Sequence, residues 1–242
     1  ILILGSNGLL GNTITTYFLG KKNYETFGIV RNSSKLFSFK KNFLNKFLIV
    51  HNILDFKDLE LKIKSIKPNV IINCIGVTNK NTSKNSKLLE SYININSLFP
   101  HRLYGICSKF NIRLIQLSSD CVFSGKRGFY NEMDSPEPID IYGRSKLLGE
   151  INNENCITIR KSVIGHELNS KKGLLEWFLA QKNKVEGYKK AIFSGLTVQE
   201  LARVIDFYII PNRNLKGIFH ISRELISKYD LLEMIADVYK KS

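Results

Sequence analysis

Long apolar runs are missing from this chain, and so are the cysteine and histidine patterns that announce covalent staples or metals. No stretch approaches the roughly 20 apolar residues a membrane-spanning helix needs, so a helical membrane partner or location is not expected. The four cysteines, Cys74, Cys107, Cys121 and Cys156, lie far apart among apolar neighbours and make no CxxC pair. That argues against a disulfide framework or a zinc ribbon and fits small buried thiols in a reducing cytoplasm. The four histidines show no metal-ligand spacing, and no metal is expected. Repeats, low-complexity tracts and long linkers are absent as well. No signal peptide is read: the chain opens directly on "ILILGSNG", a core strand, with only a few residues expected before it.

Acidic residues are the scarce charge, 21 against 36 Lys and Arg, for a formal net charge of +15. The basic residues are mostly lysines spread along the chain among Asn and Ile, the pattern of a solvated surface. The densest patch, "SSKLFSFKKNFLNK", could attract phosphates but matches no nucleic-acid-binding motif. A nucleic-acid partner is therefore not expected.

With 242 residues, 43% of them hydrophobic, the chain can bury one large core. Apolar, strand-like runs at residues 1–4, 24–30, 47–51, 69–74, 113–118 and 156–160 alternate with helical stretches at 10–20, 56–67, 92–110 and 142–153. Near-continuous apolar strands separated by helices predict an α/β fold, a Rossmann-type doubly wound parallel sheet covered on both faces. After Lys161 the rhythm changes: a helix around "GLLEWFLAQ", a short strand near "AIFSG", a helix "VQELARVIDFYI", a strand "GIFHIS" and a last helix from Lys228. This reads as a smaller α+β lobe. The expected division is residues 1–161 for nucleotide binding and 162–242 for substrate.

Three places carry chemistry. In "ILILGSNGLLG", Gly5, Gly8 and Gly11 leave the first strand and open the first helix, whose unpaired N–H groups and dipole suit a pyrophosphate. The second strand ends "GIVRNSSK", with Arg31 where an NAD-selecting fold usually offers an acid; an arginine matches a 2′-phosphate, which favours NADP. The stretch "YGRSK" sets Tyr142 and Lys146 four apart, on one face of a helix. An ammonium there would lower the tyrosine pKa from its free value near ~10 and make it a tunable general acid. Finally, "RLIQLSSDCVFSG" brings Ser118 and Ser119 to the carboxyl end of the fifth strand, where open α/β sheets bind ligands. Each signal has a bland reading: a glycine turn, a surface arginine, a solvent-facing Tyr–Lys pair. Their combination does not.

Together, "GSNGLLG", "SSDCVFSG" and "YGRSK" resemble the extended short-chain dehydrogenase/reductases, and "LIQLSSDCVFSGKRGFYNEMDSPEPIDIYGRSKLLGE" is similar to the dTDP-4-dehydrorhamnose reductase branch, which reduces 4-keto-6-deoxy sugar nucleotides. The chain is shorter than the usual family length, so part of the substrate lobe is expected to be missing. The resemblance implies a catalytic set of Ser119, Tyr142 and Lys146: the tyrosine donates a proton to the carbonyl oxygen, the serine hydrogen-bonds that oxygen, and the lysine holds the nicotinamide ribose. Asn96 would support a proton relay. Cofactor contacts would come from Gly5, Asn7, Gly8, Leu9, Gly11, Arg31, Asn52, Ile53, Cys74, Ile75 and Gly76, besides Tyr142 and Lys146. Asn52 stands where many relatives carry an aspartate. NADPH is expected ahead of NADH.

Substrate contacts are expected from Thr78, Asp120, Cys121, Phe123, Val163 and Trp177, with packing the stronger claim on Trp177. Relatives that dehydrate sugar nucleotides carry Asp then Glu after the catalytic hydroxyl. Here Asp120 is followed by Cys121, a poor general base, which favours reduction; the reductases usually carry Tyr there. The resemblance further implies a cytoplasmic enzyme of surface-polysaccharide synthesis, acting on a small-molecule sugar nucleotide, with homodimers common among relatives. Two alternatives share the motifs: an epimerase of the same superfamily, which Arg31 disfavours, and a non-catalytic partner like the regulatory β subunit of methionine adenosyltransferase.

Overall fold

A computed structural model describes residues 1–78, 86–168 and 173–241. In chain order its elements are β1 (Leu2–Leu4), α1 (Leu9–Leu19), β2 (Phe27–Val30), β3 (Phe47–Ile49), α2 (Phe56–Ile66), β4 (Val70–Asn73), α3 (Ser86–Ser91), α4 (Phe99–Lys109), β5 (Arg113–Leu117), α5 (Ile141–Leu148), β6 (Cys156–Lys161), β7 (Val163–Ile164), α6 (Leu174–Leu179), β8 (Ile192–Phe193), β9 (Leu196–Thr197), α7 (Val198–Val204), β10 (Gly217–Ile221), β11 (Ile226–Ser227) and α8 (Lys228–Tyr239). Seven strands form one parallel sheet in the order β10-β6-β5-β4-β1-β2-β3. The order reverses beside β1, so a crevice opens at the carboxyl ends of β1 and β4, the place where such sheets take ligands.

The strands are apolar throughout because helices cover both faces. On one face Leu2, Leu4, Ile71 and Leu114 pack against Leu59 and Ile63 of α2 and Leu103 and Cys107 of α4. On the other, Ile3, Ile72, Ile115, Ile157 and Ile159 meet Ile14 and Phe18 of α1 and Leu201 and Ala202 of α7. Each such side chain contributes about 1.5–3 kcal/mol on burial. Local signals set the helix ends. Asp55 caps α2 by accepting from the Lys57 and Asp58 amides, and Lys67 closes it in the left-handed region at φ 51°.

Three boundaries depart from the sequence expectation. The helix expected at 92–110 begins at Ser86 and passes through a π-helical segment, Tyr92–Leu98, before α4. Pro100 in the first turn of α4 has no N–H to give, and the ladder widens just ahead of it. The helix expected at 142–153 stops at Leu148: Gly149 lies so close to Asn96 that a Cβ would fall 1.9 Å from the Asn96 carbonyl oxygen. Last, the strand "GIFHIS", expected in the C-terminal lobe, is β10 and completes the main sheet beside β6. What stands apart is a small cluster of Leu175, Phe178, Leu232 and Ile235 with the pairs β7–β9 and β8–β11.

The returning chain is clamped by polar groups. Asp206, 5% exposed in the π-helical turn after α7, accepts from the Tyr17 hydroxyl at 2.7 Å and the Tyr24 hydroxyl at 2.8 Å and pairs with Lys21 at 3.0 Å. Burial pushes its carboxyl up, but the hydrogen bonds from Tyr17, Lys21 and Tyr24 outweigh it and hold the group below the usual range. A carboxylate with a depressed folded pKa stabilises above its unfolded pKa, near ~3.9, and loses that contribution as pH falls through the folded value. Asp206→Asn is therefore expected to lower stability at pH 7 by about 1.5–3 kcal/mol. The gap to wild type should close as unfolding is repeated below about pH 4.

Candidate active site

The glycine turn comes first along the chain. Gly5 takes φ +79°, and the missing Cβ clears Ile75; a Cβ on Gly11 would lie 2.0 Å from the Gly5 carbonyl oxygen. Helix α1 starts at Gly8 with no side-chain cap and no acid in its first turn. Its leading N–H groups meet no competing side chain, so an anion can take them. Arg31 is exposed at the end of β2 and has no ion-pair partner among the described residues. Asn7 and Leu9 flank the turn, half-buried, and Cys74 and Ile75 line the next strand end, with Gly76 exposed beyond them. Asn52 is exposed, and its side-chain oxygen accepts from the Leu54 amide at 3.0 Å; Ile53 packs on the first core. A cradle that a Cβ would fill, an uncapped helix start and a free guanidinium fit a phosphorylated dinucleotide. Gly11→Ala is expected to push the turn off the helix start and raise the Kd for NADPH at least tenfold, measured by fluorescence titration.

The second group lies at the carboxyl end of β5. Ser119 is 5% exposed; its hydroxyl donates to Asp120 Oδ1 at 3.1 Å and accepts from the Cys121 amide at 3.2 Å. Asp140 caps α5 by accepting from the Gly143 amide at 2.7 Å, which fixes the helix carrying Tyr142 and Lys146. A Cβ on Gly143 would meet the Cys121 carbonyl oxygen at 2.1 Å, so α5 sits directly on the loop after Ser119. Burial pushes the Tyr142 phenol well above its ordinary pKa, a hydrogen bond with Ser119 pulls it back, and Cys121 and Asp120 push it up again.

Lys146 departs from the expectation. It is 6% exposed, its Nζ donates to the Leu117 carbonyl at 2.7 Å, and the Tyr142 phenol beside it is raised by burial rather than lowered. Its own pKa is pulled down to about 7 by burial first and then by the nearby Lys161. A buried phenol that stays protonated is the form a proton donor needs.

Asn96 is 1% exposed in the π-helical segment. Its side chain accepts from the Val77 amide at 2.8 Å and donates to the Val77 carbonyl at 2.9 Å and to Ser145 Oγ at 3.0 Å. Both N–H groups of the amide are thereby used. Asn96 pins the segment after β4 to α5, which makes it a positioning residue.

The six substrate candidates are scattered. Asp120 and Cys121 flank Ser119, and the Cys121 thiol lies 3.8 Å from Asp120 Oδ1. Phe123 is buried, stacked on Tyr130 with the Arg160 guanidinium 5.0 Å from its ring centre. Val163 packs on the second core in β7. Trp177 is 39% exposed, while its neighbours Leu175 and Phe178 fill the small cluster; packing does not claim it. Thr78 is exposed, at the edge of the described residues.

Sequence reasoning missed two features. Glu150 and Arg160 form a buried pair at 2.7 Å, and Glu150 also accepts from Ser118 at 2.7 Å, so the first serine of the pair supports and the second faces the site. Lys161 ends β6 at 8% exposure. Its signal was present: a lysine closing the apolar run "CITIRK". No group of His, Cys, Asp and Glu among the described residues could hold a metal, and no described helix is long and apolar enough to cross a membrane.

A parallel sheet that turns through three glycines into a helix, with Ser, Tyr and Lys gathered at the end of β5, defines an extended short-chain dehydrogenase/reductase. The family model described as the RmlD substrate binding domain matches residues 1–242, and the chain belongs to that family. Among curated proteins it is 25% identical over 254 residues to the methionine adenosyltransferase 2 subunit beta of Danio rerio, spanning 99% of this chain and 73% of that one. Among solved structures it matches a hypothetical dTDP-4-dehydrorhamnose reductase from Sulfolobus tokodaii at TM-score 0.79 and 27% identity, over 98% of this chain and 81% of that one. The dTDP-4-dehydrorhamnose reductase of Bacillus anthracis, in complex with NADP, shares the fold at TM-score 0.76 and 22% identity, over 99% and 80%.

Proposed function

We propose that this chain is an NADPH-dependent oxidoreductase that reduces the keto group of a 4-keto-6-deoxy sugar nucleotide, in the manner of a dTDP-4-dehydrorhamnose reductase. The observation that carries the reading is the seating of α5 on the loop after Ser119, which brings Tyr142 and buried Lys146, one helical turn along, to the carboxyl end of β5. The family and the relative from Sulfolobus tokodaii support the reaction class. Bound NADPH supplies the hydride, and the glycine turn with Arg31 holds its phosphates. Ser119 hydrogen-bonds the substrate carbonyl oxygen and aligns it with Tyr142. As the carbonyl carbon gains hydride, the C=O electron pair moves to oxygen, and Tyr142 delivers the phenolic proton there to give the carbinol. Lys146 would hold the nicotinamide ribose, and the phenolate left on Tyr142 takes a proton from solvent before the next turnover.

Cys121 beside Asp120 leaves no carboxylate pair for removing water, so reduction is favoured over dehydration. The setting we propose is surface-polysaccharide synthesis in the cytoplasm.

The test is turnover by purified protein with a panel of 4-keto-6-deoxy sugar nucleotides, with NADPH and NADH side by side. NADPH should be consumed much faster than NADH. Arg31→Ala should raise the KM for NADPH about tenfold, roughly the worth of one charged contact to phosphate, with little change for NADH. Equal use of the two cofactors by wild type would contradict the role of Arg31.

The match to the methionine adenosyltransferase 2 subunit beta over 99% of the chain favours one second reading, a non-catalytic partner subunit. Tight NADPH binding without turnover on any member of the panel would support it.

A further inference from the structure

Among the described residues, Lys161 is a lysine at the site that the proposed chemistry does not use. In β6 it follows Ile157 and Ile159 on the face that packs into the second core, while Arg160 between them turns to Glu150 on the other. The pairing of Leu117 with Ile159 brings the ends of β5 and β6 level, so Lys161 stands at the height of Ser119. The residue is 8% exposed, and among the described residues it has no hydrogen bond and no ion pair. A largely buried side chain whose ammonium is engaged by no acceptor is placed to act on the charge of a ligand entering beside it.

The charged and titratable groups around it come from three elements: Lys146 on α5, Asp120 and Cys121 after β5, and Cys74 after β4. Burial lowers the pKa of both lysines and Lys161 lowers that of Lys146 further, while Asp120 favours the charged form of Lys161. The two lysines therefore act on the same small volume. On the proposed reading that volume receives the nicotinamide end of the cofactor, since Lys146 takes its ribose.

We infer that Lys161 is a charge-selecting residue of the cofactor site, favouring the neutral reduced nicotinamide over its cationic oxidised form. The phosphates and ribose are common to both forms of the cofactor; only the ring gains a positive charge on giving up hydride. A fixed ammonium nearby disfavours the oxidised ring and leaves the reduced ring unaffected. The consequence is loading by NADPH and prompt departure of NADP+. That suits an enzyme exchanging its cofactor at every turnover and opposes one that retains an oxidised nicotinamide. The inference rests on the proposed cofactor site but not on the identity of the sugar.

The experiment measures Kd for NADPH and for NADP+ on wild type, Lys161→Met and Lys161→Arg, by calorimetry or fluorescence titration without substrate. Methionine keeps the length of the side chain and removes the charge. The ratio of Kd for NADP+ to Kd for NADPH should fall about tenfold in Lys161→Met, chiefly through tighter NADP+. That is the scale of one charge acting across several ångströms at an effective dielectric near 20. Lys161→Arg should keep the wild-type ratio. A merely structural lysine would weaken both nucleotides together and leave the ratio unmoved, and that result in Lys161→Met would overturn the inference. Where methionine costs folding, Lys161→Gln makes the same comparison. Wild type binding neither nucleotide would overturn the cofactor site itself, whereas a sugar panel without turnover leaves the ratio to stand.

Discussion

Tyr142→Phe is expected to abolish turnover to within about 10²–10⁴-fold below wild type, the worth of a positioned general acid, while NADPH binding stays within a few-fold. The substitution removes one oxygen and keeps the ring, which lies 6.3 Å from that of Tyr92, so α5 should stay in place. The pKa direction sharpens the expectation. Burial holds the phenol protonated, so wild-type reduction should persist at neutral pH without a basic limb from Tyr142 in the free protein. Steady-state rates and a cofactor titration on the same preparation check both halves. A variant that keeps a tenth or more of the rate would remove Tyr142 from the role of acid.

The largest stability effect is expected at Glu150. Its carboxylate takes three charge-assisted bonds from Arg160, at 2.9, 3.2 and 2.7 Å, and one from the Ser118 hydroxyl. Arg160, in β6, spans Glu150, the Phe123 ring and His220 in the edge strand β10, so the pair ties the end of α5 to the last two strands on that side of the sheet. Breaking such a pair from one side leaves a buried guanidinium without its anion. Glu150→Leu should cost about 3–5 kcal/mol, read as a lower denaturant midpoint. The double variant with Arg160→Met should recover part of that loss, because no charge is then left stranded. Equal losses in the single and double variants would show that shape, not charge, is what the pair supplies.

Much of this architecture was legible in the residues. Apolar strands of four to seven residues between amphipathic helices could only pack as a covered parallel sheet, and glycines at a strand–helix junction mark the turn directly. The Ser–Tyr–Lys set was legible for a related reason: the chemistry fixes the residue types, and secondary structure fixes their spacing. What the sequence hid depends on contacts between distant segments. β10 reads as part of the last lobe because its partner β6 lies 56 residues earlier, from Gly217 back to Lys161. The π-helical widening before Pro100 obeys no periodicity. Asn96 was identified, yet its bonds to Val77 and Ser145 decide what it does, and neither is foreseeable from "ININ". Lys146 was expected to lower the tyrosine pKa; its reach to the Leu117 carbonyl and its like-charged neighbour Lys161 follow only from three strands and a helix meeting. Burial is a property of the assembled sheet.

Hydride transfer is the central claim, and isotope transfer tests it most directly. NADPH deuterated at the transferable position would be incubated with the protein and the 4-keto-6-deoxy sugar nucleotide that turns over fastest, and the product read by NMR. One deuterium at the new carbinol carbon, with one NADP+ formed per sugar and neither seen with Tyr142→Phe, is the result expected. A rearranged sugar carrying no deuterium, with NADPH unspent, would contradict the account.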